Sequence, residues 1–308
     1  MTSGIPFSWV ASANPWTEDQ VAELHDDAVR WADSRGLLPT ERHRMCAHHA
    51  QPALFGAMVW PHTRPNVMPW LARWLTYGFV VDEDDDDSDI QILPKIVTIL
   101  GALDGDQPHP DNTEAAALIE ATNGITSDSP NAVRARVHQG LRNYYAGVAM
   151  QLAGNPADPY TTEKVRTYSS AAPFCIALLE PLLGIQVPEH EHADPDVQLM
   201  VQRAAANLTL VNDYFSARVE RHQYRPWNVA IIAAQETGDL EYGIAHAQLR
   251  SGHEGIAFDA LARNLCRRDD ISPGLRTYIQ GLRDMLVGNR DWSLKVDRYR
   301  EEVAHSRR

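Results

Sequence analysis

The sequence predicts an all-α protein in which residues 1–308 form a single domain. Two observations favour this fold. Apolar residues recur at helical spacing along most of the chain, and no run of alternating β-branched residues is bounded by hairpin turns. The length of 308 residues is ample for a large hydrophobic core. Segments 104–113 and 184–196 are rich in turn-forming residues and are predicted to be loops.

The first predicted helix covers Thr17–Gly36. Thr17 can cap its N-terminus, acidic residues follow in the first turn, and Gly36 is a natural stop. The same pattern predicts eight further long helices, and the expected total is about ten or more. The eight segments are Glu41–Val59, Asn66 to about Asp86, Ile90–Leu103, Asn131–Leu152, Thr161–Leu183, Asp194–Arg221, Leu240–Arg267 and Pro273–Tyr299.

The net charge of the chain argues against two classes of binding partner. There are 28 basic and 41 acidic side chains, a formal net charge of −13. Nucleic acids and anionic membranes select basic surfaces, so we expect neither as a partner. Three widely spaced cysteines indicate no disulfide framework, and neither a targeting segment nor a membrane-spanning run is evident. A cytoplasmic protein is expected.

An acidic run, Asp82–Asp89, follows a strongly apolar helix. The apolar stripe that ends at Phe79 continues onto Asp82 and Asp86 on the same helix face. Because buried carboxylates without partners are costly, these side chains should meet water or a cation. A solvated acidic helix end is the alternative explanation. The register is also open, because Asp85–Asp89 is a second possible motif; we favour Asp82 because it extends the apolar face.

A second polar cluster lies in the segment NDYFSARVE. Asn212, Ser216 and Glu220 are spaced four residues apart, so their oxygen-bearing side chains share one face and span about 12 Å of a helix. An amide oxygen, a hydroxyl and a carboxylate are hard ligands of the kind that magnesium prefers. Ordinary helix polarity, with local hydrogen bonds, is the alternative.

Taken together, the two clusters resemble the aspartate-rich motif and the asparagine–serine–glutamate triad of bacterial class I terpene synthases. Asn228-Val229, eight residues after Glu220, also matches a recurring feature of that family. Arg166, 46 residues before Asn212, resembles the family's diphosphate-sensing arginine, and Arg298-Tyr299 resembles its C-terminal Arg-Tyr pair. The resemblance covers nearly the whole chain.

The resemblance implies a helical barrel with a central apolar cavity and a cluster of three magnesium ions bound together with a substrate diphosphate. The implied metal ligands are Asp82, Asp86, Asn212, Ser216 and Glu220. The diphosphate would be contacted by Arg166, Arg298 and Tyr299. The candidate substrate-binding residues are Phe55, Met58, Phe79, Ser170, Phe174 and Trp292. For each aromatic residue, plain core packing is the alternative.

Two positions depart from the family pattern. Val219 stands where a lysine usually precedes the triad glutamate, so one expected diphosphate contact is missing. Ser169 stands where the family often has an aspartate that links the sensor arginine to the effector position, here Ser170. A serine cannot hold a guanidinium as a bidentate carboxylate does. Activity is still expected, at a rate that the sequence does not set.

The implied activity is magnesium-dependent ionisation of a linear prenyl diphosphate, followed by cyclisation to a terpene hydrocarbon or alcohol. Farnesyl diphosphate is the favoured substrate, with geranylgeranyl or geranyl diphosphate as alternatives, and a homodimer is possible. One rival is a prenyl chain-elongating transferase of the same fold, but that class uses two aspartate-rich motifs. The other rival is an acidic helical interaction protein, which would give no reason for Arg166, Arg298 and Tyr299 to accompany the triad.

Overall fold

The computed structural model describes residues 12–84, 89–105, 112–223 and 225–300, and the side chains of 81–84 and 89–92 are not described. Fifteen α-helices and one 3-10 turn form the described part of the chain. The first eight are α1 (Glu18–Ser34), α2 (Glu41–Ala50), α3 (Pro52–Val59), α4 (Met68–Asp84), α5 (Asp89–Leu103), α6 (Thr113–Thr126), α7 (Asn131–Ala153) and α8 (Pro159–Ser169). The others are α9 (Ala172–Ala177), α10 (Leu179–Leu183), α11 (Glu189–His192), α12 (Pro195–Glu220), α13 (Val229–Ala234), α14 (Leu240–Cys266) and α15 (Pro273–Lys295), followed by the 3-10 turn Asp297–Tyr299.

The long helices begin and end close to their predicted bounds. Helix α12 begins at Pro195 after Asp194, whose side chain accepts a hydrogen bond from the Asp196 amide. This is the start signal that the sequence predicted, with proline at the first helical position, where its missing N–H costs nothing. The all-α prediction is confirmed for the described residues.

Two segments predicted as single helices are divided. The Glu41–Val59 helix breaks at Gln51, which adopts a left-handed φ of 47° before Pro52 begins α3. Because proline disfavours the helical conformation of the residue before it, Gln51 is a natural end for α2. The Thr161–Leu183 helix breaks at Ala171, with φ 60°, and continues as the short helices α9 and α10.

The break after α8 is tightly packed. A Cβ atom added to Gly147 of α7 would lie 2.6 Å from the backbone nitrogen of Ser169, a distance that real Cβ atoms do not show. Only glycine therefore allows α7 to approach the end of α8 this closely.

Three helices were not predicted from the sequence, because they are short or begin in segments predicted as loops. Asn112 caps α6, which starts at Thr113 inside the predicted loop 104–113. Helix α11 lies inside the other predicted loop, and α13 is only six residues long. The last predicted helix ends at Lys295, four residues early, and the chain continues as the 3-10 turn.

Helix α12 runs through the centre of the protein. It packs against α8, α9, α13, α14 and α15, and the C-terminal 3-10 turn also contacts it. Among the described helices, none combines the length and hydropathy needed to cross a lipid bilayer. Hydrogen bonds from Arg166 of α8 and to Tyr299 of the 3-10 turn reach the C-terminal half of α12.

Candidate active site

The predicted triad lies on the C-terminal half of α12. Ser216 is buried, while Asn212 and Glu220 are partly buried one turn to either side of it. The surrounding helices α8 and α13 and the C-terminal 3-10 turn all contact this part of α12. The three side chains therefore share one face, as the spacing predicted.

Arg166 extends from the last turn of α8 to the triad. Its Nη2 donates to the Asn212 Oδ1 at 3.0 Å, and its Nε and Nη2 both donate to the Asp213 Oδ1, at 3.0 and 2.8 Å. The structure thus brings the predicted sensor arginine against the first residue of the predicted metal triad. The sequence had placed them 46 residues apart without any direct signal of contact.

Asp213 is the main partner of Arg166, and the sequence analysis did not select it. Its side chain is fully buried, and its Oδ2 accepts a hydrogen bond of 2.8 Å from the Val229 amide at the start of α13. A buried carboxylate must be paired and hydrogen-bonded, and both oxygens of Asp213 meet that need. The only sequence signal was an acidic residue directly beside Asn212, pointing off the triad face.

Ser169 and Ser170 occupy the positions that depart from the family pattern. The Ser169 hydroxyl is buried and makes no hydrogen bond to the rest of the described chain. The Ser170 Oγ lies 2.7 Å from the Thr209 Oγ1 on α12. Neither serine supplies a carboxylate, so the carboxylate that holds Arg166 in the described residues comes from Asp213 on α12.

The C-terminal pair also reaches this region. The Asn212 Nδ2 donates to the Tyr299 Oη at 3.0 Å, and burial, reinforced by the nearby Glu220 carboxylate, raises the pKa of Tyr299. The Arg298 guanidinium lies 5.0 Å from the centre of the Phe79 ring, and its Nη1 is 3.6 Å from the Cys46 Sγ. Tyr299 is therefore neutral at physiological pH and touches the triad directly.

Four of the predicted pocket residues form one cluster. The Phe55 ring centre lies 4.7 Å from that of Trp292 and 5.5 Å from that of Phe79, and Phe79 stacks on Trp292 at 5.4 Å. Met58 packs on the same cluster, and the Trp292 Nε1 donates to the Ala50 carbonyl at 3.0 Å. We call Phe55, Met58, Phe79 and Trp292 the aromatic cluster.

Phe174 is not part of the aromatic cluster. It is fully buried in the main core, 4.7 Å from the centre of the Trp74 ring. In the described structure its contacts are those of a core residue. Its assignment to the substrate pocket stays a prediction.

Of the predicted aspartate ligands, Asp82 lies in the last turn of α4, three residues after Phe79, and its side chain is not described. Asp86 lies outside the described residues, as does the rest of the segment 85–88. The backbone of α4 therefore carries Asp82 beyond the aromatic cluster. The metal roles of Asp82 and Asp86, and the register of the motif, stay predictions.

The donor set of the triad fits a hard divalent cation. Within the residues that the structure describes, no group of three or more His, Cys, Asp or Glu side chains could hold a metal ion. The triad itself offers an amide oxygen, a hydroxyl and one carboxylate, and all three are oxygen ligands. Burial, together with the neighbouring Asp213, raises the pKa of Glu220 and outweighs the opposing effect of Arg166. A bound cation would relieve that destabilised charge.

The comparison with protein families identifies the class of protein. A family model described as "Terpene synthase family 2, C-terminal metal binding" matches residues 73–250, more than half of the chain. The matched region contains Arg166 and the whole triad. The chain belongs to this family.

Curated relatives align over nearly the full length. The (+)-corvol ether B/(+)-corvol ether A synthase of Kitasatospora setae, described as farnesyl diphosphate cyclizing, is 23% identical over 296 residues, covering 93% of this chain and 91% of the relative. The spiroviolene synthase of Streptomyces violens is 29% identical over 302 residues, covering 90% and 81%. The (+)-T-muurolol synthase of Roseiflexus castenholzii is 25% identical, covering 96% and 92%.

Solved structures of terpene synthases share the fold. The SVS_A2 protein from ancestral sequence reconstruction superposes with a TM-score of 0.82 at 22% identity, covering 94% of this chain and 88% of the other. Wild-type cucumene synthase superposes with a TM-score of 0.79 at 16% identity, covering 95% and 100%. The chain has the all-α class I terpene synthase fold.

Proposed function

We propose that this protein is a magnesium-dependent terpene synthase that ionises farnesyl diphosphate and cyclises the resulting cation, with release of diphosphate. Geranylgeranyl and geranyl diphosphate are the alternative substrates. One observation carries the proposal: the Asn212 side chain is contacted at once by Arg166 and by Tyr299. Three elements that are distant in sequence thereby converge on one candidate metal ligand.

The proposed ligands of magnesium are Asn212, Ser216 and Glu220, with Asp82 and Asp86 from the aspartate-rich motif. When bound, magnesium would neutralise the diphosphate oxygens and so assist departure of the leaving group. The support for this assignment is the oxygen-only donor set, whose three side chains share one face of α12.

Arg166 supplies the positive charge that the leaving group needs from the protein itself. Asp213 fixes the guanidinium through its Nε and Nη2, which orients the group before substrate arrives. Charge stabilisation by a preorganised donor is the largest contribution to catalysis in many enzymes, since no reorganisation is needed as the bond breaks. Arg298 and Tyr299 would add hydrogen bonds to the same diphosphate.

The aromatic cluster suits the hydrocarbon part of the substrate. Its rings carry negative quadrupole faces and no nucleophile, so they can stabilise a carbocation without trapping it. The Arg298 guanidinium lies 5.0 Å from the centre of the Phe79 ring, and this cation–π contact supports the assignment. Exclusion of water by the same side chains would protect the cation from premature capture.

The proposal is tested by thermal denaturation with magnesium and inorganic pyrophosphate, each alone and combined. A protein that binds its leaving group through metal ions should be stabilised strongly only by the combination, because ligand binding to the native state raises the melting temperature. No shift with the combination would contradict the proposal and favour a non-catalytic helical protein.

Phe79→Ala is expected to change the product mixture more than the rate of diphosphate release. The ring contacts Phe55, Trp292 and the Arg298 guanidinium, so its loss reshapes the aromatic cluster while leaving the triad intact. The measurement is gas chromatography of the products beside a pyrophosphate-release assay. An unchanged mixture would assign Phe79 to core packing.

Asp82→Asn is expected to reduce turnover more than Asp89→Asn does. Asp82 extends the helix face that carries Phe79, whereas Asp89 begins the next helix. Steady-state kinetics of both variants with saturating magnesium give the comparison, and each variant is the control for the other. The reverse ranking would favour the alternative register, Asp85–Asp89.

A further inference from the structure

Asn228 is a fully buried residue that contacts two members of the triad. Its Nδ2 lies 3.1 Å from the Ser216 Oγ and 2.9 Å from the Glu220 Oε2, and also 2.9 Å from the Asp213 carbonyl oxygen. We propose that Asn228 is a positioning residue that holds Ser216 and Glu220 in the orientation required for metal binding. This inference rests on the proposed function of the triad.

The orientation of the amide group is fixed by the start of α13. The Asn228 Oδ1 accepts hydrogen bonds from the Ala230 and Ile231 amides, at 2.9 and 3.2 Å, and so caps this helix. Because the oxygen must face these N–H groups, the NH₂ group must face α12. The cap therefore determines that Asn228 acts as a donor toward the triad.

The Asn228 Nδ2 has more acceptors within reach than it has hydrogens to donate. An amide nitrogen carries two hydrogens, yet three acceptors on neighbouring turns of α12 lie within 3.1 Å of it. One hydrogen is therefore shared, and the nitrogen spans the turn between Ser216 and Glu220. Rotation of either ligand side chain away from its partner would break a hydrogen bond inside a buried region.

These contacts are compatible with metal binding by the same side chains. A hydroxyl oxygen and a carboxylate oxygen each have a second lone pair after accepting one hydrogen bond. Groups that hydrogen-bond to metal ligands orient them, and their mutation commonly reduces metal affinity by about 10–100-fold. Asn228 is placed to do this for two ligands with one amide.

A simple capping role makes a different prediction. Serine and threonine cap helices about as well as asparagine, but their shorter side chains would not also bridge Ser216 and Glu220. Asn228→Ser therefore separates the two roles, because α13 keeps its cap while the triad loses its donor. Asn228→Thr is a second variant of the same kind.

The experiment measures the half-saturating magnesium concentration for thermal stabilisation at a fixed concentration of inorganic pyrophosphate, and also for turnover of farnesyl diphosphate. In both variants this concentration should rise about 10–100-fold, with the helical circular dichroism retained. The matched control is Asn207→Ser on α12. It removes a different buried amide donor, which is bonded to the Ser251 carbonyl at 2.7 Å. The control should lower the melting temperature without changing the magnesium requirement.

The outcomes separate this inference from the proposed function. Magnesium dependence equal to that of the wild type in both variants would overturn the positioning role and leave the proposed function intact. Loss of cooperative unfolding in both variants would also overturn it, because Asn228 would then serve the fold. A wild-type protein that shows no response to magnesium and pyrophosphate would instead overturn the proposed function.

Discussion

Glu220→Ala is expected to reduce turnover about 100–1000-fold or more while leaving the melting temperature near that of the wild type. The loss in turnover follows because the variant lacks the carboxylate of the triad, and removal of one group that stabilises developing charge has effects of this size. The fold should persist because Glu220 is the partly buried last residue of α12, so its truncation leaves the hydrophobic core unchanged. Asn228 would keep the Ser216 and Asp213 acceptors.

The measurement is the rate of pyrophosphate release at saturating farnesyl diphosphate and magnesium. Glu254→Ala is the matched control, since Glu254 is a buried glutamate that pairs with Arg203 and Arg250 on another part of the protein. The control should lose stability and keep its turnover. Wild-type turnover in Glu220→Ala would remove the triad from the mechanism.

Arg166→Ala is expected to lower both turnover and stability. Turnover should fall about 100-fold or more because the leaving group loses a preorganised cation. Stability should fall by about 3–5 kcal/mol because the fully buried Asp213 loses its charged partner. Urea denaturation measures the second effect, and the pyrophosphate-release assay measures the first.

Arg166→Lys separates the two effects. Lysine keeps a positive charge near Asp213, so most of the stability should return, but it cannot reproduce the contacts of the guanidinium with Asp213 and Asn212. Turnover of the lysine variant should remain at least about tenfold below the wild type. This corresponds to a loss of about 1.4 kcal/mol of transition-state stabilisation. Arg136→Ala, which breaks the ion pair with the buried Glu180 of α10, is the control for stability loss alone. Unchanged turnover in folded Arg166→Ala would contradict the proposed role.

The long helices could be predicted from sequence because their signals are local. Proline at the start of α12 and apolar residues at helical spacing defined that helix to within a residue at each end. The break at Gln51 was missed although Pro52 is a local signal for it, whereas the left-handed conformation of Ala171 depends on how neighbouring helices pack. The close approach of Gly147 to Ser169 is such a tertiary effect.

The candidate site was predictable where residues share one helix. Asn212, Ser216 and Glu220 are spaced four residues apart, about one helical turn. The sequence therefore placed them on one face without knowledge of the tertiary structure. Asp213 and Asn228 were not selected as site residues, because their importance lies in contacts between helices. Asp213 joins α8 to α13 through Arg166 and Val229, and no spacing rule reveals such a bridge.

Incubation of the purified protein with farnesyl diphosphate and magnesium, followed by gas chromatography and a pyrophosphate assay, tests the account most directly. We expect a cyclic terpene and pyrophosphate in equal amounts, with both lost when the metal is chelated or Glu220 is replaced by alanine. Geranyl and geranylgeranyl diphosphate under the same conditions identify the preferred chain length. Folded wild-type protein that converts none of the three diphosphates in the presence of magnesium would contradict the account.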